Sequence, residues 1–198
     1  MAKLKLTKHE LKKQKDNLKR FFRYLPTLQL KKQQLQTEAM RIMQALQAIK
    51  QDISQQQQQI DIWVDVFAEN VRIEELLQVE KINTITGNIA GVDVPNLESI
   101  NFKEAEYDFV TTPLWVDEAI IVLKQMISLN VKKQIIKRQL EVVKEELRIT
   151  TQRVNLFEKV KIPQSRENIR KIQIYLGDLQ TASVVRGKIA KAKFKKVA

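Results

Sequence analysis

The chain contains no cysteine, which excludes a disulfide framework and any thiolate metal site. Glycine and proline number only four each in 198 residues, so turns are scarce and long helices are favoured over strands. Aromatic residues make up 6%, which suits a thin apolar seam better than a thick core. The one histidine, His9, sits in a lysine-rich stretch. It reads as a solvated surface imidazole rather than a catalytic or metal-binding group. No run approaches the roughly 18 apolar residues needed to span a bilayer, and no apolar stretch of signal-peptide type follows the basic N-terminus. Direct membrane insertion is not expected, so any link to a membrane passes through a partner. A phosphate-binding loop is also missing. Residues 86–91, TGNIAG, hold two glycines at the wrong spacing and read as turn material.

What is present is apolar residues at 43% and a strong positive balance, formally +12. The charge is concentrated at the ends. Residues 1–32 carry eleven Lys/Arg against two acids, residues 183–198 carry six against none, and the stretch between is slightly acidic.

From about Thr7 to Leu77 the apolar residues repeat every seven positions. One series is Leu28, Leu35, Ile42, Ile49, Gln56, Trp63 and Asn70; the other is Leu25, Lys32, Ala39, Leu46, Ile53, Ile60 and Phe67. Eleven of these fourteen are apolar, the a/d pattern of a coiled coil. Pro26 stands inside the pattern and is expected to start or kink the main helix, since it lacks the N–H of an interior residue. Gln56 is a candidate register-setting polar residue in the seam. The repeat returns from about 114 to 162. Here Val122, Leu129, Ile136, Val143, Thr150 and Phe157 alternate with Ala119, Met126, Lys133, Leu140, Leu147, Val154 and Lys161, and ten of thirteen are apolar. Pro163 is a second expected kink or restart. The seam resumes at Ile169, Ile172, Leu176 and Leu179, then fades into a basic end.

Between the repeats, residues 78–116 hold Gly87, Gly91, Pro95 and Pro113, half of all the glycine and proline. NIAGVDVP at 88–95 and YDFVT at 107–111 favour two short strands in a hairpin. Thr112 or Asp117 is a plausible cap for the next helix, with Pro113 in its first turn. The expected fold is therefore mainly α: a long antiparallel two-stranded coiled coil, or helical hairpin, with a short β-hairpin insert. Its divisions are an N-terminal arm at 1–77, the insert at 78–116 and a C-terminal arm at 117–198.

Catalytic material is thin. Adjacent carboxylates such as Glu74 with Glu75 and Glu145 with Glu146, and the nearby pair Glu104 and Glu106, read as solvated surface. Neighbours on a helix point about 100° apart. Asp61 and Asp65 share a helix face but have no histidine beside them. No catalytic, cofactor-binding or metal residue is expected. The glutamine run at 55–59 reads as polar helix surface, because Ile53 and Ile60 keep register across it. The basic termini lack the stacking aromatics and motifs of nucleic-acid binders apart from Phe21, Phe22 and Tyr24, so no nucleic-acid partner is expected.

A family resemblance rests on the second arm. QRVNLFEKVKIP at 152–163, followed by Glu167, Asn168, Ile169 and Ile172, resembles a motif block of the D subunit of V/A-type ATPases. By position, Arg153, Val154, Asn155, Glu158, Ile162 and Pro163 match it. GVDVP at 91–95 is similar to the family's short V.VP segment. Pro26-Thr27 with Leu28, Leu30, Lys31, Lys32 and Leu35 resembles its opening, and Asp117 and Ile120 its second long helix. The chain departs from the pattern in the length preceding Pro26, in Leu28 where arginine is frequent, and in Phe157 where a small residue is usual.

The resemblance implies a central-stalk rotor subunit with no catalysis of its own. It implies partners in the A and B catalytic-head subunits, the small F subunit of the stalk and the funnel-shaped subunit above the membrane ring. The protein would be cytoplasmic and peripheral to the membrane. The seam expected to hold it together comprises Leu28, Leu35, Ile42, Leu46, Ile49, Ile53, Ile60, Trp63, Leu129, Ile136, Leu140, Val143, Leu147 and Val154. The basic tip expected to meet the head comprises Arg186, Lys188, Lys191, Lys193, Lys195 and Lys196. The rival expectation is a cytoplasmic coiled-coil adaptor with basic termini.

Overall fold

The computed structural model of the chain describes residues 4–61, 76–105, 113 and 115–197. Trp63, Phe67 and Asn70 of the first repeat lie outside the described residues, as do Asp65 and the strand expected at 107–111. The element order is α1 (Lys8–Asp61), β1 (Leu77–Ile89), β2 (Val92–Glu104), α2 (Trp115–Asn155), a π-helical segment (Leu156–Lys161) and α3 (Ile162–Val197). The protein is mainly helical with a two-stranded antiparallel hairpin in the middle.

The chain forms two compact units, Gln33–Arg148 and a second made of Met1–Lys32 with Ile149–Ala198. In the first, α1 and α2 run antiparallel and meet along the seven-residue repeat. Leu35, Ala39, Ile42, Leu140 and Val143 are buried together, with Leu46, Ile136 and Leu147 packed against them. Farther along, the Gln56 amide donates to Gln125 Oε1 at 3.2 Å. The hairpin lies on this helix pair. Val94, with Ile89, Ala90 and Val92, joins the Leu35 cluster. At the other end Leu77 and Phe102 pack on Val116 and Ile120. Each large side chain buried this way contributes roughly 1.5–3 kcal/mol.

The strands pair from Leu77↔Glu104 to Ile89↔Val92, with irregularities between Val79 and Lys81 and between Asn83 and Thr84. The hairpin turn is Ala90-Gly91, both at positive φ (52° and 75°). The Asn88 side chain accepts from Gly91 N–H at 3.0 Å and donates to Asp93 Oδ1 at 2.9 Å. NIAGVDVP is therefore not one strand. It contains the turn, because a two-residue connection at positive φ matches the strand twist. Gly87 fills a second need: a Cβ there would collide with the Asn96 side chain. Asn96 Oδ1 and the Pro95 carbonyl both accept from Gln139 Nε2 at 2.7 Å, which fastens the hairpin to α2.

In the second unit, Thr7 caps α1. Its Oγ1 accepts from Glu10 N–H at 3.2 Å, the arrangement expected of a Thr-x-x-Glu start. Pro26 does not start the main helix. It lies inside α1, so residues 8–24 belong to the same helix. From Leu11 the inward positions alternate three and four apart through Gln14, Leu18, Phe21, Leu25 and Leu28. Facing residues come from the end of α2, the π segment and α3. Phe157 packs on Phe21 with ring centroids 5.2 Å apart, and the Arg166 guanidinium lies 5.3 Å from the Phe22 ring centroid.

α2 starts at Trp115, with Val116 N–H bonding the Pro113 carbonyl at 3.1 Å. Asp117 therefore lies within the first turn rather than capping it, where a carboxylate still complements the helix dipole.

Candidate functional site

No group of three or more His, Cys, Asp or Glu is placed to hold a metal ion among the described residues. His9 is exposed on α1. Glu145 turns to Arg148, which bonds it through two nitrogens at 2.9 and 2.7 Å. That hydrogen bond holds the Glu145 carboxyl below its ordinary range.

The seam residues named from the sequence separate into two grades. Leu35, Ile42, Ile53, Leu140, Val143 and Val154 are buried. Leu28, Leu46, Ile49, Ile60, Leu129, Ile136 and Leu147 are half-buried, as expected where two helices meet with solvent on either flank. Of the motif positions, Val154 and Ile162 are buried, while Arg153, Asn155, Glu158 and Pro163 are exposed. The motif thus has an inward pair and an outward set that is polar apart from Pro163. Lys161, placed in the seam from the heptad count, is exposed, and Ile162 is buried instead. The cause is the π segment, where the Ile162 N–H reaches back five residues to the Phe157 carbonyl.

The surface that stands out is the end of α3. The seam closes at Leu176. Every described side chain from Gly177 to Lys193 is exposed, including Leu179, which the seam was expected to bury. This stretch carries Arg186, Lys188, Lys191 and Lys193 together with exposed Val184, Val185 and Ile189. The backbone of Lys195 and Lys196 continues the same helix. About twenty residues of solvent-exposed helix are marginal on their own, and a helix both apolar and basic around its surface is one that a partner would cover.

Sequence comparison shows the family to which the chain belongs. The family model that describes the D subunit of ATP synthase matches residues 10–192. The chain belongs to this ATP synthase D-subunit family. It is 49% identical over 192 residues to the V-type ATP synthase D subunit of Borreliella burgdorferi, covering 97% of this chain and 95% of that one. It is 33% identical over 193 residues to the protein of the same name from Chlamydia pneumoniae, covering 96% and 92%. The family match takes in both arms, the hairpin and most of the exposed basic end. Among the described residues, no helix is long and apolar enough to cross a membrane.

Proposed function

We propose that this chain is the central-stalk rotor subunit of a V/A-type rotary ATPase. It transmits torque between nucleotide chemistry in the A/B head and ion passage in the membrane ring, and it makes or breaks no bond itself. The observation that carries this reading is the D-subunit family match over residues 10–192. The local geometry suits the role: helices joined by a repeating apolar seam, and a basic helix end whose described side chains are exposed. Two helices locked along a seam resist twist better than a lone helix. In this reading residues 1–77 and 117–198 are the arms, and 78–116 the insert between them.

The basic end, Arg186 to Lys196, enters the head. There it is held by charge complementarity and by contact of its aliphatic side chains, without deep fixed pockets. The small F subunit and the funnel-shaped subunit bind elsewhere along the arms and insert. The protein is cytoplasmic and reaches the membrane only through the complex.

Affinity purification of the tagged chain from its own cells tests this. A, B and F subunits should co-purify, and the isolated chain should hydrolyse no ATP. Recovery with other partners and no head subunits would favour an adaptor and overturn the proposal. Within it, neutralising Lys188, Lys191, Lys193, Lys195 and Lys196 together should weaken assembly with the head or uncouple it. Unchanged assembly and coupling would remove the electrostatic part.

A further inference from the structure

The inward positions on α1 step by threes and fours from Leu11 to Leu28 without a break. The facing chain does not. Its inward positions run Thr150, Val154, Phe157, then Ile162, Ser165, Ile169, Ile172 and Leu176, with Thr151 and Asn168 half-buried beside them. Every step is three or four except Phe157 to Ile162, which is five. In an α-helix at about 100° per residue, five residues would swing Ile162 roughly 140° off the seam. Ile162 is nevertheless buried, at 6% exposure. The wider turn of Leu156–Lys161, with the Ile162 N–H bonded to the carbonyl five residues back, absorbs the extra residue.

Pro163 explains why the wide turn sits there. It has no N–H to give, and in α geometry its ring would press on the Lys159 carbonyl. The segment is held at both sides by adjacent residues of α1. Phe21 packs on Phe157 within it, and Phe22 lies under Arg166 beyond it. Between those anchors, Glu158, Lys159, Val160 and Lys161 are all exposed, so among the described residues nothing packs the outer side of the wide turn.

We propose that Leu156–Lys161 is a built-in torsional joint. It stores one residue more than the seam requires, and local twist in this arm is taken up there while the flanking seam contacts stay in register. The proposal concerns the chain itself and stands whether or not the rotor reading does.

Two consequences distinguish a joint from ordinary helix. First, the stored residue is dispensable. Deleting Glu158 together with Pro163→Ala gives a seam step of four in continuous α-helix. The full-length protein should then melt within about 3 °C of the parent or above it. Deleting Lys144, which lies between the seam residues Val143 and Leu147 with no wide turn to absorb the slip, should lower Tm by about 10 °C or more. Second, hydrogen exchange of the unaltered protein, read by NMR, should show faster exchange at 158–162 than at Thr150–Val154 and Ile169–Ile172. The double variant should lose that window. Uniform protection from 150 to 172 in the unaltered protein would overturn the proposal, as would a double variant that melts as low as the Lys144 deletion.

Discussion

The two compact units use the same seam and bury it to different depths. In Gln33–Arg148 a third layer lies on the helix pair: the hairpin contributes Val94, itself 1% exposed, and Leu35 and Val143 beneath it reach 0%. In the other unit there is no such cover among the described residues. The α1 residues from Lys8 to Leu28 are at most half-buried, and deep burial falls to a few positions on the facing chain, Val154, Ile162 and Ile172 among them. Two helices alone leave the flanks of their contact open, and a short two-stranded insert deepens burial where it lies on them. Stability should therefore be concentrated where the hairpin lies. The less covered unit keeps the surface that a partner would need.

The largest expected difference sets Leu35→Ala against Leu28→Ala, one heptad apart on α1. The first empties a site with no exposure and should cost about 2–5 kcal/mol. The second trims a half-buried side chain and should cost less than half as much. Urea unfolding of both variants gives the ratio, and equal losses would break the comparison. Gly87→Ala comes next. Its methyl group would drive Asn96 away and loosen the Gln139 latch, an overpacking cost of about 1–3 kcal/mol. The same change at Gly177, where a Cβ meets nothing within 4 Å, should be neutral or stabilising.

Gln56→Leu sharpens the seam itself. Gln56 Oε1 is buried without a hydrogen-bond partner, so an apolar replacement should raise stability by about 1 kcal/mol. The cost would be a less specified register, visible as alternative pairings between spin labels placed on α1 and α2.

Much of this architecture was legible in the sequence, and the exceptions have physical causes. The arms could be read because buried positions at Leu35, Ile42, Leu140 and Val143 recur at the coiled-coil period. The insert could be read because glycine and proline cluster in it. Of the two expectations for Pro26, a start and a kink, the start fails: a proline inside a helix forfeits one hydrogen bond and strains one turn, but the inward spacing of three and four from Leu11 to Leu28 runs across it. The true start carries its own signal, the Thr7-x-x-Glu10 capping pattern. Lys161 misled because counting by sevens cannot register an inserted residue. The signal was present in the five-residue gap between Phe157 and Ile162, next to a proline. Leu179 misled because period alone does not say where the facing helix begins. At the basic end, charge marked the surface, but only the structure showed the helix exposed on all sides from Gly177 to Lys193.

Smaller effects follow at the surface. Thr7→Ala removes the cap on α1 and should cost about 1 kcal/mol, seen as fraying of the first turn by hydrogen exchange with little change beyond it. Glu145 and Glu167 are held below the ordinary carboxylate range by hydrogen bonds from Arg148 and Lys171. A carboxyl with a depressed folded pKa contributes its stability above the unfolded value and loses it as pH falls through the folded one. Both pairs are exposed, so the contribution is small and salt-sensitive. Glu145→Gln should barely move Tm at pH 7 and not at all at a pH below both values. A larger shift at neutral pH would mean that this unit depends on surface charge more than on its covered seam.

The most direct measurement places a bead on the chain and watches it turn. Since there is no native cysteine, a single cysteine at exposed Ser99 on β2 gives a unique attachment point. With the A/B head immobilised and ATP supplied, the bead should rotate stepwise in one direction and stop when ATP is withdrawn. A bead that stays fixed to the head while the complex hydrolyses ATP would contradict the rotor reading.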